Sequence, residues 1–271
     1  MAALALVLTG CGDSVPTRAP GAGPVAGTGS DPASVPTVDP TVPTGPGGVP
    51  APAALPATRI VTLATGDGRR SARVHRPPVV APGGGLIVVL HAAAMSAVDM
   101  ENGFGWDGVA DRDGVVVVYP DGLLDLFQDT WNAGACCSPA TALGTDDVGF
   151  LDALVAALAR GPDRVTGPVY AVGFSNGAML AYAWACRRPG GLAGVGIVAG
   201  ALVTGCAAPA PVTVVALHGD ADPAIPVGGG PGPDGSWFPA VDESLAPFRA
   251  AAGCPADPVV VAGSAARVAT W

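Results

Sequence analysis

The chain has 271 residues, of which 49% are hydrophobic and 13% charged, and 13 basic against 22 acidic residues give a formal charge of −9. That acidity argues against nucleic acid or an anionic membrane surface as partner, because both are recognised through basic faces. The length allows one substantial domain, while 40 glycines and 29 prolines show that part of the chain is linker.

Residues 1–11 form a short apolar segment that ends in Leu8-Thr9-Gly10-Cys11. It resembles a bacterial lipoprotein signal, which implies lipidation at Cys11 and a membrane-anchored position on the cell surface. The segment is too short to span a bilayer and lacks the Lys or Arg usual at the front of a leader. The alternative is an ordinary secretory leader with an incidental cysteine. Residues 12–57 are almost entirely Pro, Gly, Ala, Thr, Val and Ser, the composition of a disordered tether.

Residues 58–271 alternate strand and helix patterns in the manner of an α/β domain. A hairpin is predicted over Thr58 to Pro77, turning at Gly66-Asp67-Gly68, followed by an apolar strand from Gly85 to Leu90 that ends at His91. A helix from Ala97 to Arg112, a strand from Val115 to Tyr119, a loop carrying Trp131 and a helix from Asp146 to Ala159 come next. Thr145, Asp146 and Asp147 suit the start of that last helix, where a cap and negative charge are favourable. From Gly190 to Leu217 no residue is charged. Thr204-Gly205, Pro209 and Pro211 divide this run into two strands, which are expected to be buried between helices.

The most informative stretch is Gly173-Phe174-Ser175-Asn176-Gly177, set between a strand pattern and a helix pattern. A G-x-S-x-G turn in that context is a nucleophile elbow, with Ser175 projecting above the sheet and glycines allowing strand and helix to approach. Downstream, the strand from Val212 to Leu217 exits at His218-Gly219-Asp220-Ala221-Asp222, where Asp222 fits the acid of a triad ordered Ser, acid, His. The histidine is missing from its place: His75, His91 and His218 all precede Asp222. His218 reads as a structural residue at a strand end, His91 as support for the loop that supplies an oxyanion donor, and His75 as solvated on an edge strand.

Six segments occur in order: His91 followed five residues on by Ser96, Val118-Tyr119-Pro120-Asp121-Gly122, Trp131-Asn132-Ala133-Gly134, Asp146-Asp147-Val148-Gly149-Phe150-Leu151, the elbow, and His218 to Pro223. Together they resemble the esterases that include poly(3-hydroxybutyrate) depolymerases, feruloyl esterases and acetylxylan esterases. The resemblance implies an α/β-hydrolase fold, a mostly parallel sheet with helices on both faces. It further implies Ser175 as nucleophile, Asp222 as triad acid, and backbone N–H donors from Asn176 and from Ala93 or its neighbour. Members of this family carry His-Gly where this chain has His91-Ala92, and a triad histidine in a Gly-His-x-Trp-Pro segment that residues 1–271 do not contain. The domain is therefore expected to be incomplete at its C-terminus, lacking the last strand, helix and histidine loop, and nearly inactive as it stands.

The resulting expectation is an extracellular, monomeric serine esterase acting on polyhydroxyalkanoate, feruloyl or acetyl esters. The alternative is a surface lipoprotein that keeps the fold without catalysis. Peptidase or lactonase activity would use the same triad. No metal or cofactor is expected, since the cysteines lack paired spacing and neighbouring histidines. Export makes disulfides plausible, with Cys186 and Cys206 the first candidate pair and Cys254 with Cys136 or Cys137 a second. Trp131 and Trp237 are candidate substrate walls.

Overall fold

The computed structural model describes residues 3–8, 58–124, 129–263 and 266–271, so that the expected tether and Cys11 lie outside the described residues. The hairpin forms as β2 (Thr58–Thr65) and β3 (Gly68–His75), joined at Gly66-Asp67. β4 (Leu86–Leu90) and β5 (Val116–Pro120) follow, with the helical segment between them split into α1 (Ala97–Gly103) and α2 (Trp106–Asp113). The single helix expected there breaks at Gly105, whose left-handed backbone, φ 69°, starts α2 on a new axis. Ser96 caps α1, exchanging hydrogen bonds with Asp99.

After two short strands, β6 (Leu123–Leu124) and β7 (Asp129–Thr130), and the single turn α3 (Ala140–Leu143), comes α4 (Asp147–Arg160). Asp146 is its N-cap, accepting from the Gly149 amide. β8 (Val169–Phe174) leads into α5 (Asn176–Arg187), and the uncharged stretch supplies β9 (Gly194–Val198) and β10 (Thr213–Gly219). A small hairpin of β11 (Gly230–Pro231) and β12 (Trp237–Phe238), α6 (Val241–Ala251), β13 (Val259–Ala262) and β14 (Ala266–Thr270) complete the order.

The central sheet runs β13-β14-β1-β10-β9-β8-β4-β5-β3-β2, where β1 is Ala3–Leu8. Its middle, from β10 through β5, is wholly parallel. α4, α5 and α6 pack on one face around Leu151, Leu154, Met179, Leu180, Leu245 and Phe248. α1 and α2 cover β4 and β5 on the other, where Val89, Met100, Val117 and Tyr119 meet. Helices on both faces of a largely parallel sheet are the α/β-hydrolase arrangement expected from the sequence.

Two readings change, and the segment expected as a leader has strand partners. β10 alternates, with Thr213, Val215 and Leu217 exposed and Val214, Ala216 and His218 buried, so among the described residues it is covered on one face only. His75 is buried rather than solvated, because α2 brings Asp111 within 2.9 Å of its Nε2 and Asp107 within 3.3 Å of its Nδ1. Ala3–Leu8, read as the core of a leader, pairs antiparallel with β10 and parallel with β14. A leader core and a central strand are both short, continuous apolar runs, so periodicity does not separate them.

Candidate active site

Ser175 sits at the turn from β8 to α5 with φ 53° and ψ −116°, a backbone region that a residue with a side chain occupies only when its surroundings enforce it. The enforcement is visible on both sides. A Cβ on Gly173 would lie 2.2 Å from the carbonyl oxygen of Gly177, and one on Gly177 would lie 2.4 Å from Leu90 O and 2.5 Å from His91 O. Only glycine at both positions lets α5 descend onto the end of β4. The Ser175 amide is fixed by Val198 O at 2.8 Å, and the Met179 amide returns to Ser175 O at 3.1 Å.

Asn176 is the first residue of α5, so its own backbone N–H has no intrahelical acceptor. At the exit of β4, the Ala94 amide donates to Asp129 O at 2.9 Å and the Met95 amide to Ala92 O at 3.1 Å, which leaves the Ala93 amide uncommitted among the described backbone bonds. These are the two amides expected as oxyanion donors. Ala94 takes a positive φ of 62°, shaping this turn without the glycine usual after the histidine.

His91 is fully buried, and its tautomer follows from its partners. Its Nε2 accepts from the Gly122 amide at 2.9 Å, so the proton is on Nδ1, which donates to Ala92 O at 2.8 Å. Burial holds its pKa below 6.5 and keeps the ring neutral. Both nitrogens are thus engaged, which ties the exit of β4 to Gly122. His218 is buried as well, its Nε2 donating to Ile225 O at 2.7 Å, with Asp222 Oδ2 at 3.5 Å. His75 lies on β3, paired with the carboxylates of α2.

Asp222 follows β10 at the same carboxyl end of the sheet as Ser175: Phe174 is level with Val198 and Val198 with Leu217. With β9 between them, the two strand exits are about 10 Å apart. Asp222 Oδ1 accepts from the amides of Ala224 at 2.9 Å and Ile225 at 3.1 Å, which fixes the carboxylate at the rim.

Trp131 is not a substrate wall: it is wholly buried, with its indole Nε1 donating to His91 O at 2.9 Å. Its backbone clasps the side chain of Asn176, the Trp131 amide donating to Oδ1 at 2.7 Å and Nδ2 donating to Trp131 O at 3.1 Å. The next residue, Asn132, donates its amide to Asp147 Oδ2 at 2.7 Å, and Asp147 Oδ1 pairs with Arg70 at 2.7 Å, both ionic side chains being buried. The sequence marked the Trp131-Asn132 segment only as one of the ordered motifs, and nothing marked Arg70, which sits among the alternating residues of β3. Trp237 stands 72% exposed on β12. Cys186 and Cys206 are joined, and so are the adjacent Cys136 and Cys137, which removes both from pairing with Cys254.

A family model described as "Esterase PHB depolymerase" matches residues 72–226. NocK of Nocardia uniformis is 34% identical over 166 residues, 59% of this chain and 47% of its own length. Feruloyl esterase C of Emericella nidulans is 30% identical over 151 residues, 54% of this chain and 51% of its own. Poly(3-hydroxybutyrate) depolymerase of Ralstonia pickettii is 32% identical over 123 residues, 42% of this chain and 25% of its own. The chain thus spans about half the length, or less, of the curated relatives it matches.

Proposed function

We propose, from the premise that this chain belongs to the esterase PHB depolymerase family, that it hydrolyses carboxylic esters with Ser175 as nucleophile. The observation that carries the reading is the elbow itself, with Ser175 at φ 53° and ψ −116° between two glycines packed against backbone. Ser175 Oγ attacks the ester carbonyl while its proton passes to an imidazole. The oxyanion is held by the Asn176 and Ala93 amides, and the alcohol leaves with the proton. Water then repeats the sequence and frees the acid. Asp222 orients the imidazole. His91 and His218 are engaged elsewhere and His75 belongs to β3, so none of these three is the imidazole the reading requires.

Feruloyl and hydroxybutyrate esters are the substrate classes that the names of the relatives support; acetyl esters follow from the acetylxylan esterase/xylanase of Neocallimastix patriciarum, 27% identical over 154 residues. The test is hydrolysis of p-nitrophenyl acetate by residues 1–271, by the product of the whole reading frame and by Ser175→Ala in each. Turnover in the longer protein that falls about 10⁶-fold in Ser175→Ala supports the assignment; turnover that survives Ser175→Ala refutes it. The engaged histidines also favour a second reading, a surface protein with the fold but no catalysis, which the absence of turnover in both lengths would establish. An extracellular position with a lipid anchor at Cys11 belongs to the same proposal. Processing at Cys11 would remove Ala3–Leu8 and is incompatible with β1 in the same molecule. The mass of the N-terminal peptide from cells decides between them.

A further inference from the structure

We infer that Trp131 is a positioning residue that locks the two oxyanion donors to one another, an inference that rests on reading Ser175 as the nucleophile. The donors come from separate elements, the Asn176 amide from the start of α5 and the Ala93 amide from the exit of β4. An oxyanion hole works only if both point at one place before the charge develops. Gly177 brings the two segments together by permitting close approach, but close approach alone does not fix their relative orientation.

Trp131 reaches both. Its backbone N–H and C=O make a reciprocal pair with the side-chain amide of Asn176 at 2.7 and 3.1 Å, and Asn176 is fully buried, so its amide has these two bonds in place of water. Its indole Nε1 donates to His91 O at 2.9 Å, and its ring lies against the imidazole with centroids 4.6 Å apart. His91 is two residues before Ala93 and is itself pinned through Gly122 and Ala92 O. The backbone of this residue makes two hydrogen bonds to the residue after Ser175, and its indole makes one to the segment carrying the other donor, so a single side chain joins a backbone already clasped to Asn176 to the exit of β4. The residue is held in turn, since Asn132 is tied by its amide to Asp147 and by Nδ2 to Thr145 O at 2.9 Å.

The test is Trp131→Phe in the product of the whole reading frame, which keeps an aromatic ring but leaves His91 O without its donor. The matched control is Trp184→Phe, another buried tryptophan, whose Nε1 donates to Asp152 at 3.0 Å on the α4 side of α5. With p-nitrophenyl acetate, Trp131→Phe is expected to lower kcat about 10- to 100-fold with KM unchanged, part of the effect of losing an oxyanion donor outright. Trp184→Phe lowers stability without lowering kcat. A second measurement does not depend on turnover: in amide spectra of the labelled protein, the Asn176 and Ala93 resonances should both shift in Trp131→Phe and both stay in Trp184→Phe. Equal kcat in the two variants, or movement of only one donor amide, overturns the inference. Failure of the esterase reading appears separately, as turnover indifferent to Ser175→Ala, and the amide shifts still decide whether the donors are coupled.

Discussion

A methyl group added at Gly177 would meet the carbonyl oxygens of Leu90 and His91 at 2.4 and 2.5 Å, and neither backbone atom can swing aside as a side-chain tip could. Gly177→Ala is therefore expected to lift α5 from β4, costing about 3 kcal/mol or more in urea unfolding, and to abolish any Ser175-dependent turnover even where the protein still folds. His91 supplies a second prediction. Burial lowers its folded pKa below the unfolded 6.5, so below that pH the unfolded chain binds a proton that the folded chain refuses. Stability must fall as pH drops through 6.5 and below, and rise in the opposite direction. His91→Gln removes the titration while keeping an acceptor within reach of the Gly122 amide. Urea midpoints measured at pH 7.5 and 5.5 should therefore differ less in the variant than in the parent; an equal difference would assign the acid sensitivity to other groups.

The elements with strong local signals were legible: the β2–β3 hairpin from its Gly-Asp-Gly turn, α4 from its capping residues, and the passage from β8 to α5 from G-x-S-x-G. Those whose outcome depended on a distant partner were not. The break between α1 and α2 rests on one glycine, His75 was buried by carboxylates that α2 delivers, and Trp131 was drawn inward by Asn176 and His91, residues far away in sequence. The two amides proposed as donors belong to the elbow and to a strand exit, both marked in the sequence, while the Arg70–Asp147 pair joins β3 to α4 and left no pattern. The Cys186–Cys206 bond lies between these cases. It ties the end of α5 to the connection between β9 and β10 across a separation of 20 residues, and a loop of that size corresponds to about 3 kcal/mol of unfolded-state entropy. The double variant Cys186→Ala, Cys206→Ala is expected to lose about that much, with hydrogen exchange rising evenly over the sheet; exchange that rises first in β8 to β10 would place part of the bond's effect in the folded chain.

At the scale of the molecule, the sheet's two faces are unequal. Among the described residues, α4, α5 and α6 close one, whereas α1 and α2 reach only β4 and β5 on the other. Over β8, β9 and β10 that second face carries Tyr170, Val215 and Leu217, 38%, 37% and 42% exposed, beside Gly194 and Gly196. These line an apolar hollow of about 580 Å³ with Ile87 and Trp106 at its side. Parallel strands are ordinarily covered on both faces, and a contiguous apolar patch of this kind promotes association. Residues 1–271 should accordingly self-associate as concentration rises, and Val215→Lys with Leu217→Lys should suppress it. The choice of lysine separates two explanations. The formal charge moves from −9 to −7, so general repulsion between acidic molecules would weaken and association would grow. Association through this face would instead fall, because two charged side chains would have to be buried to form the contact. Light scattering over a concentration series reads the sign directly, and since both positions are partly exposed, the variant's unfolding midpoint should stay close to the parent's. Association that increases in the lysine variant would show that the open face is not what brings the molecules together.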